Sequence, residues 1–357
     1  MANQILYGFH NMKDLMAKRV TEVGVQVMDK AIVTTLNEHN RQIDALISMF
    51  ATRTTAHKTR FKTVSAARLQ PLDNNGRALP IKPAGSYDVG YPIQMAGGAW
   101  GADYVTSQKM RVQDVNDAVS TLIMADARWV RDHILAALFF STTNGWTFID
   151  EEWGSLTIQG LANGDSTVYN VLTGADAPTT ATNYIAQASG IADATNPFPG
   201  IYNALMSHPE NSGEVIVLVP SNLTASIEAL ANFKEKGDPN IREGVNTSTL
   251  VGNLDAQVPG RVIGYTDKCW IVEWKSLPDS YMVATTTGGD RPLAMREDVE
   301  DSLRGFNKVA ERNDHPFYES QYIRRAGFGA WNRVGAVVAR IGNGTYAIPT
   351  NYGSPMY

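Results

Sequence analysis

The chain has 357 residues, 43% of them hydrophobic, and 31 Lys and Arg against 36 Asp and Glu, for a net charge of −5. That length allows two domains or one elaborate one with ample core, and the acidic balance argues against a dedicated nucleic-acid binder. Cys269 is the sole cysteine, which excludes an intrachain disulfide and suits a reducing compartment. No apolar run approaches the roughly 18 residues of a membrane span, and residues 1–19 lack the apolar core of a signal peptide, so neither is expected.

The charge is uneven. Residues 1–70 hold ten Lys and Arg against five acids, and from Arg53 to Arg68 there is no acid at all. This basic arm reads either as a solvated segment or as one that meets acidic surfaces, on a neighbouring subunit or on packaged nucleic acid. Residues 1–20 are expected to be irregular. Residues 25–50 predict an amphipathic helix, with Val25, Met28, Ile32, Leu36, Ile43, Leu46, Ile47 and Phe50 on one side and Asn40, Arg41 and Asp44 on the other. The β-branched content of its first turns lowers their helix propensity.

Residues 55–105 change character. Arg60–Val64 alternates as a strand does, and Asn74-Asn75-Gly76 is a turn signal, since Asn and Gly tolerate positive φ. Pro71, Pro80, Pro83 and Pro92 and five glycines after the turn interrupt the segment, which has few large apolar residues. The segment reads as a two-stranded excursion that returns at Ala102–Met110. An isolated hairpin is marginal in water and needs another surface to lie on.

Val112–Phe140 contains neither Gly nor Pro. Val112, Val115, Val119, Leu122 and Trp129 recur at three- and four-residue steps, with Ile123, Val130, Ile134 and Leu138 beside them. Asp114, Asp117, Asp126, Arg128, Arg131 and Asp132 are expected on the opposite, polar side. At 1.5 Å per residue the helix would be roughly 40 Å long, either a large core helix or a spine along which the subunit is strung.

Beyond it, Trp146–Trp153 is aromatic and acidic, Gly154–Asp165 predicts a strand closing in a turn, and Tyr184–Ala188 suggests a short helix. Asn196–Gly200 marks a boundary. Residues 201–290 read as a separate α/β lobe: a helix from Ile201, a buried strand Glu214–Val219, a helix Leu223–Phe233 with Ser221 as its cap, a charged loop Lys234–Asn246, and strands Val262–Tyr265, Trp270–Trp274 and Tyr281–Ala284. The end returns to β at Tyr322–Ala339 and Thr345–Ile348, and Gly327, Gly329 and Gly335 suggest a strand that is bent or closely approached by another backbone.

Chemistry-bearing motifs are missing. There is no phosphate loop, no strand-borne dinucleotide fingerprint and no nucleophile elbow. The six histidines are scattered without metal-ligand spacing, and His133 is read as a packing or surface histidine. Glu151-Glu152 and Glu297-Asp298 are sequence neighbours that point apart in a strand, so neither makes an acid/base couple; Glu297–Asp301 is read as a solvated charged edge. No enzyme, cofactor or metal is expected.

The order of parts is basic arm, amphipathic helix, protruding hairpin, long helix, a strand ending in Ala162-Asn163-Gly164-Asp165, α/β lobe and glycine-marked final strand. It resembles the tailed-bacteriophage major capsid protein, the Hong Kong 97-like fold shared with encapsulins. Arg325-Ala-Gly-Phe-Gly-Ala-Trp-Asn-Arg-Val-Gly-Ala-Val-Val338 resembles the closing strand of such coats, followed by Tyr346 and Pro349, and Met110–Asn116 resembles the spine entry. The resemblance covers about residues 20–350.

It implies an α+β chain with a Hong Kong 97-like organisation: an N-terminal arm and helix (1–50), an extended loop (51–104), a peripheral domain (105–198) with the spine helix 112–140, an axial domain (199–290) and peripheral return strands (291–357). It further implies inter-subunit contacts at Arg60, Phe61, Lys62, Asn74, Asn75 and Gly76 in the extended loop, and at Lys234, Lys236 and Asp238 in an axial tip. The implied function is a coat protein that assembles through pentamers and hexamers into an icosahedral virion shell over double-stranded DNA in the host bacterial cytoplasm. Its partners would be copies of itself, a separate scaffolding protein, a portal and DNA bound without sequence specificity, with no membrane. The alternatives are an encapsulin-type cellular compartment and a hydrolytic or carbohydrate-binding enzyme. Some such coats crosslink a loop lysine to a neighbour's asparagine. Lys58, Lys62, Lys82 and Asn332 are available here, but no motif pairs them and crosslinking is not expected.

Overall fold

The computed structural model of the chain describes every residue except 1–15, 17, 24, 64–68, 70, 73, 78–84, 142–145, 163, 170, 173–178, 236–258, 315–316 and 354–357. Two compact units emerge, one of residues 1–44, 94–130 and 298–326, the other of 45–93, 131–297 and 327–357. Each is built from discontinuous stretches of chain.

In the first unit, helix α1 (Val20–Val23) precedes α2 (Val25–Phe50), whose last residues pass into the second unit. The low propensity of its opening turns does not prevent helix there. Strand β4 (Gln94–Asp103) and helix α3 (Tyr104–Lys109) lead to α4 (Val112–Phe139), 28 residues long, whose residues from Arg131 on belong to the second unit. β16 (Phe306–Asp314) and β17 (Phe317–Ala330) complete the unit. β17 pairs antiparallel with β16 on one side and with β4 on the other, from Phe317↔Asp103 to Ala326↔Gln94. The excursion foreseen between 55 and 105 is therefore shorter than its composition suggests, because residues 94–103 find a full-length strand partner. Ile32, Leu36, Val115, Val119, Phe306 and Tyr322 form the core, with Trp100, Leu122 and Ile123 against it.

Periodicity places the α4 stripe correctly, but Asp126 is not on a solvated face. It is buried, and its carboxylate receives Arg324 Nε at 2.5 Å and Nη2 at 2.7 Å, with His39 Nε2 at 2.7 Å. Asn40 is drawn in as well. Its Oδ1 accepts from Arg324 Nη2 and from the Phe306 N–H, and its Nδ2 donates to the Phe306 carbonyl.

The second unit holds β1 (Ala51–Thr54) paired parallel with β15 (Leu293–Glu297), the antiparallel pairs of β5 (Trp146–Asp150) with β6 (Gly154–Ile158) and of β7 (Gly164–Tyr169) with β8 (Thr179–Thr182), and at its centre a seven-stranded mixed sheet. Its strands are β9 (Tyr184–Gln187), β10 (Asn211–Val219), β11 (Lys234–Glu235), β12 (Arg261–Thr266), β13 (Cys269–Glu273), β14 (Tyr281–Gly289) and β18 (Ala336–Ile341), in the order β11-β12-β13-β10-β14-β18-β9. The apolar run in β10 is central, as a strand buried on both faces should be. Phe198, Ile201 and Leu205 of α5 (Phe198–Met206) and Leu223 and Ile227 of α6 (Ser221–Glu228) pack with Val215, Val217, Ile271 and Val337 into the main core.

Six expectations are corrected here. Tyr184–Ala188 is not helical, because β9 pairs parallel with β18, Val338↔Tyr184 to Ile341↔Gln187. α6 ends at Glu228, and Ser221 is its first residue rather than its cap; its hydroxyl donates to Glu273 Oε1 at 2.7 Å, a partner sequence could not anticipate. Tyr322–Ala339 is two strands, broken by a short 3-10 turn at Arg333–Gly335, and residues 345–348 form no strand. Glu297 is buried, 3.4 Å from Arg53, rather than solvated.

Candidate inter-subunit surface

The candidate surface is the β-ribbon of the second unit. β2 (Lys58–Thr63) pairs antiparallel with β3 (Gly85–Gly90), Lys58↔Gly90 to Thr63↔Gly85, a register symmetric about residue 74. That centre falls in the Asn-Asn-Gly turn the sequence marks, where Gly76 takes φ +72° with open space around it. Asn74, Asn75 and Gly76 are all exposed, and Leu69 and Leu72 are 92% and 61% exposed.

Antiparallel register brings cations opposite an acid. Arg60 donates to both carboxylate oxygens of Asp88, from Nε at 2.7 Å and Nη2 at 3.1 Å, and Lys58 Nζ lies 2.7 Å from Asp88 Oδ2. The Arg60 hydrogen bonds, then the Lys58 one, hold the Asp88 carboxyl well below the usual carboxylate range. These are surface pairs and stabilise little by themselves. They leave this stretch cationic overall.

On the opposite face of the ribbon, Phe61 lies 5.5 Å, centroid to centroid, from Tyr87 and 5.6 Å from Trp331. With Val89, Tyr91 and Ala294 these rings make a small apolar cluster at the ribbon's root. The Trp331 indole N–H donates to the Leu293 carbonyl, which fixes the ring Phe61 leans on.

The root is also held by polar groups. Tyr91 N–H donates to the His57 carbonyl at 2.9 Å. Arg296, buried, donates from Nη1 to the Tyr91 carbonyl at 3.1 Å and to Asp150 Oδ2 at 2.6 Å. Asp150 Oδ1 accepts the N–H groups of Glu152 and Trp153, both at 3.0 Å. Burial raises the Asp150 pKa, but the Arg296 hydrogen bond and the two backbone N–H groups outweigh it, so the carboxyl stays lowered. His57 stacks flat on Trp153 with centroids 3.9 Å apart. The ribbon therefore has a fixed root and an exposed far end.

The structure places the expected contact residues unevenly. Arg60 is exposed and ion-paired, Phe61 is half-buried in its own unit, and Asn74, Asn75 and Gly76 form the exposed turn. Lys234 is exposed in the edge strand β11. The side chain of Lys62, and Lys236 and Asp238 entirely, lie outside the described residues. Sequence reasoning missed Asp88, His57, Arg296 and Asp150. Only Asp88 carried a signal, since folding the ribbon about its Asn-Asn-Gly turn puts it opposite Arg60. Among the described residues no group of three or more His, Cys, Asp or Glu could hold a metal, and no helix is long and apolar enough to cross a membrane.

This chain has the Hong Kong 97-like fold of phage capsid proteins, with an exposed ribbon, a 28-residue helix and a mixed α and β build. A chain from Mycobacterium phage Patience superposes with a TM-score of 0.68 at 17% identity, covering 99% of this chain and 98% of that one. A chain from the capsid structure of the cyanophage P-SCSP1u superposes with a TM-score of 0.51 at 9% identity, covering 84% of this chain and 88% of that one. No protein-family model matches the sequence, and no curated protein matches it.

Proposed function

We propose that this chain is a major capsid protein: a subunit that assembles with copies of itself, through pentamers and hexamers, into an icosahedral shell around double-stranded DNA. The reading is supported by the phage-capsid fold over nearly the whole chain. The observation that carries it is the ribbon: Leu69 and Leu72 stand exposed beyond a root locked by Arg296, Asp150 and Phe61. A single chain gains nothing from fixing an apolar-bearing arm in solvent, whereas a shell gains a contact that covers it. The cationic arm on an acidic chain suits a container that meets DNA without gripping it in a sequence-dependent way.

Assembly would use a separate scaffolding protein and a portal and take place in the host bacterial cytoplasm. The test is expression of the full chain alone and with its scaffold, followed by negative-stain imaging and light scattering. Closed shells of uniform size are expected, with nuclease-protected DNA in virions. A small monomer under every condition would overturn the proposal.

A further inference from the structure

The hairpin of β5 and β6 presents an uncovered face and an uncovered turn. Thr147 pairs with Thr157 and Ile149 with Ser155, so these four side chains share one face. All four are exposed, Ile149 at 78%. The turn that joins the strands, Glu151-Glu152-Trp153, is exposed throughout, and Trp153 is 52% exposed.

That turn is ordered from beneath. Asp150 accepts the N–H groups of Glu152 and Trp153, Arg296 holds Asp150, and the His57 ring covers one face of the Trp153 indole. Side chains displayed on a backbone already fixed lose little further freedom when something binds them. A half-exposed tryptophan on such a turn, beside two acids, has the make-up of a binding anchor.

The matching patch lies on the same chain. Ribbon residues 58–90 hold six Lys and Arg against two Asp. Leu69, Leu72 and Arg77, all exposed, belong to its far end. The hairpin thus offers acids and apolar side chains, and the ribbon end offers cations and apolar side chains. Within one chain neither patch covers the other. It is the near end of the ribbon that meets the hairpin: a Cβ on Gly90 would sit 2.9 Å from the Thr157 carbonyl oxygen. From Gly90 the paired ladder runs about 17 Å to Gly85, opposite Thr63, and Leu69 and Leu72 follow Thr63 in the chain.

We propose that Ile149 and the Glu151-Glu152-Trp153 turn are the seat for the ribbon end of a second copy of this chain. Leu69 and Leu72 of the second copy cover Trp153 and Ile149, and its Arg77 faces Glu151 and Glu152. The contact is heterologous, ribbon end to hairpin, so every copy gives one and receives one, and its repetition generates a ring where the rotation closes. This inference rests on the shell reading and adds to it the surface that receives the ribbon.

Two single-thiol chains test it. The native Cys269 is buried, with its pKa pushed up to about 12, so it stays unreactive near neutral pH. Full-length Leu72→Cys and Glu152→Cys chains are mixed, assembled with scaffold and treated with a short bismaleimide. Covalent dimer should be about tenfold or more abundant from the mixture than from either chain alone, because the contact holds the two thiols together. Closed shells without that dimer, or as much dimer from Leu72→Cys alone, would overturn the inference and leave the shell reading standing. No shells from any chain, the parent included, would remove both. A second arm reverses charge. Glu151→Arg with Glu152→Arg leaves the backbone donors to Asp150 in place, yet should raise the protein concentration needed for shells about tenfold or more, since like charges then meet at Arg77. Adding Arg77→Glu should lower that concentration again, which a misfolded turn would not do. A reversed chain that assembles as the parent does, or one that Arg77→Glu leaves no better, would also overturn the inference.

Discussion

Asp126 and Arg324, 198 residues apart, form a two-point ion pair in which each side chain is 3% exposed. Arg324 reaches Asp126 from β17, His39 approaches the same carboxylate from α2, and Asn40 ties Arg324 to the Phe306 backbone. One carboxylate on α4 thus organises groups from three other strands and helices of the unit. Planar guanidinium matched to carboxylate is the geometry in which a buried pair is best compensated.

Removing one partner leaves the other charged and buried. Asp126→Ala should cost about 3–5 kcal/mol, and Arg324→Met a similar amount. The double variant should cost clearly less than the two single costs combined, because it leaves neither charge stranded. Denaturant unfolding of all three variants checks this. Strict additivity would mean the two groups act separately.

Acid should weaken the fold through the same carboxylates. Burial raises the Asp126 pKa, but hydrogen bonds from His39 and Arg324 outweigh it and the net shift is downward; Asp150 behaves alike with Arg296 and its two backbone donors. A carboxyl lowered in the folded state contributes stability that is fully present above its unfolded value, about 3.9, and is lost as pH falls through the folded value. The contribution of these two groups should therefore be flat between about pH 7 and 5 and fall away below about pH 4. Asp126→Asn should be less stable at neutral pH and show a shallower acid decline. An unchanged acid slope would place the linkage elsewhere.

The sequence reveals elements whose signal is local and hides those made by distant partners. The stripes of α2 and α4 are legible because apolar side chains repeat at helical steps. The ribbon's register is legible because its turn residues sit at its centre. Asp126 is not, since a carboxylate on the polar side of a helix looks solvated until His39 and Arg324 arrive from 87 and 198 positions away. β9 is hidden likewise, because its hydrogen bonds come from β18, some 150 residues later. Gly327 was legible as a bend or a close approach, but not which of the two, nor which backbone approaches it.

That backbone is Pro92, at the ribbon's root. A Cβ on Gly327 would sit 2.3 Å from the Pro92 carbonyl oxygen, and neither backbone can swing aside as a side chain would. Gly327→Ala should therefore destabilise the chain by about 1–3 kcal/mol through overpacking. Gly76→Ala has open space and pays only for its positive φ, about 1–2 kcal/mol or less. Hydrogen exchange separates them further. Gly327→Ala should loosen amides near Tyr91, and Gly76→Ala should not.

Arg296 sets how firmly the ribbon stands. Arg296→Ala strands buried Asp150 and frees the Tyr91 carbonyl, so a loss of about 3–5 kcal/mol is expected. Arg60→Ala breaks only exposed pairs to Asp88 and should cost under about 1 kcal/mol. Thermal melts of the two variants should differ widely. Near-equal melting temperatures would mean Arg296 is not what fixes the root.

The ribbon's far end can be removed without touching its root. Replacing residues 62–86 with Asn-Gly joins Phe61 directly to its register partner Tyr87 through a two-residue turn of the preferred type. Lys58, Arg60 and Asp88 keep their pairs, and Phe61 keeps Tyr87 and Trp331. The shortened chain should remain soluble and unfold within about 1 kcal/mol of the parent, since what it loses lies outside the buried root. On the proposed shell reading it should fail to form shells, since it lacks the exposed Leu69 and Leu72 and the Asn74–Gly76 turn that the proposal assigns to a neighbouring copy. Light scattering and negative-stain imaging read both outcomes. Shells that still close would show that the ribbon's end is not the assembling contact, and an insoluble product would show that it belongs to the chain's own core.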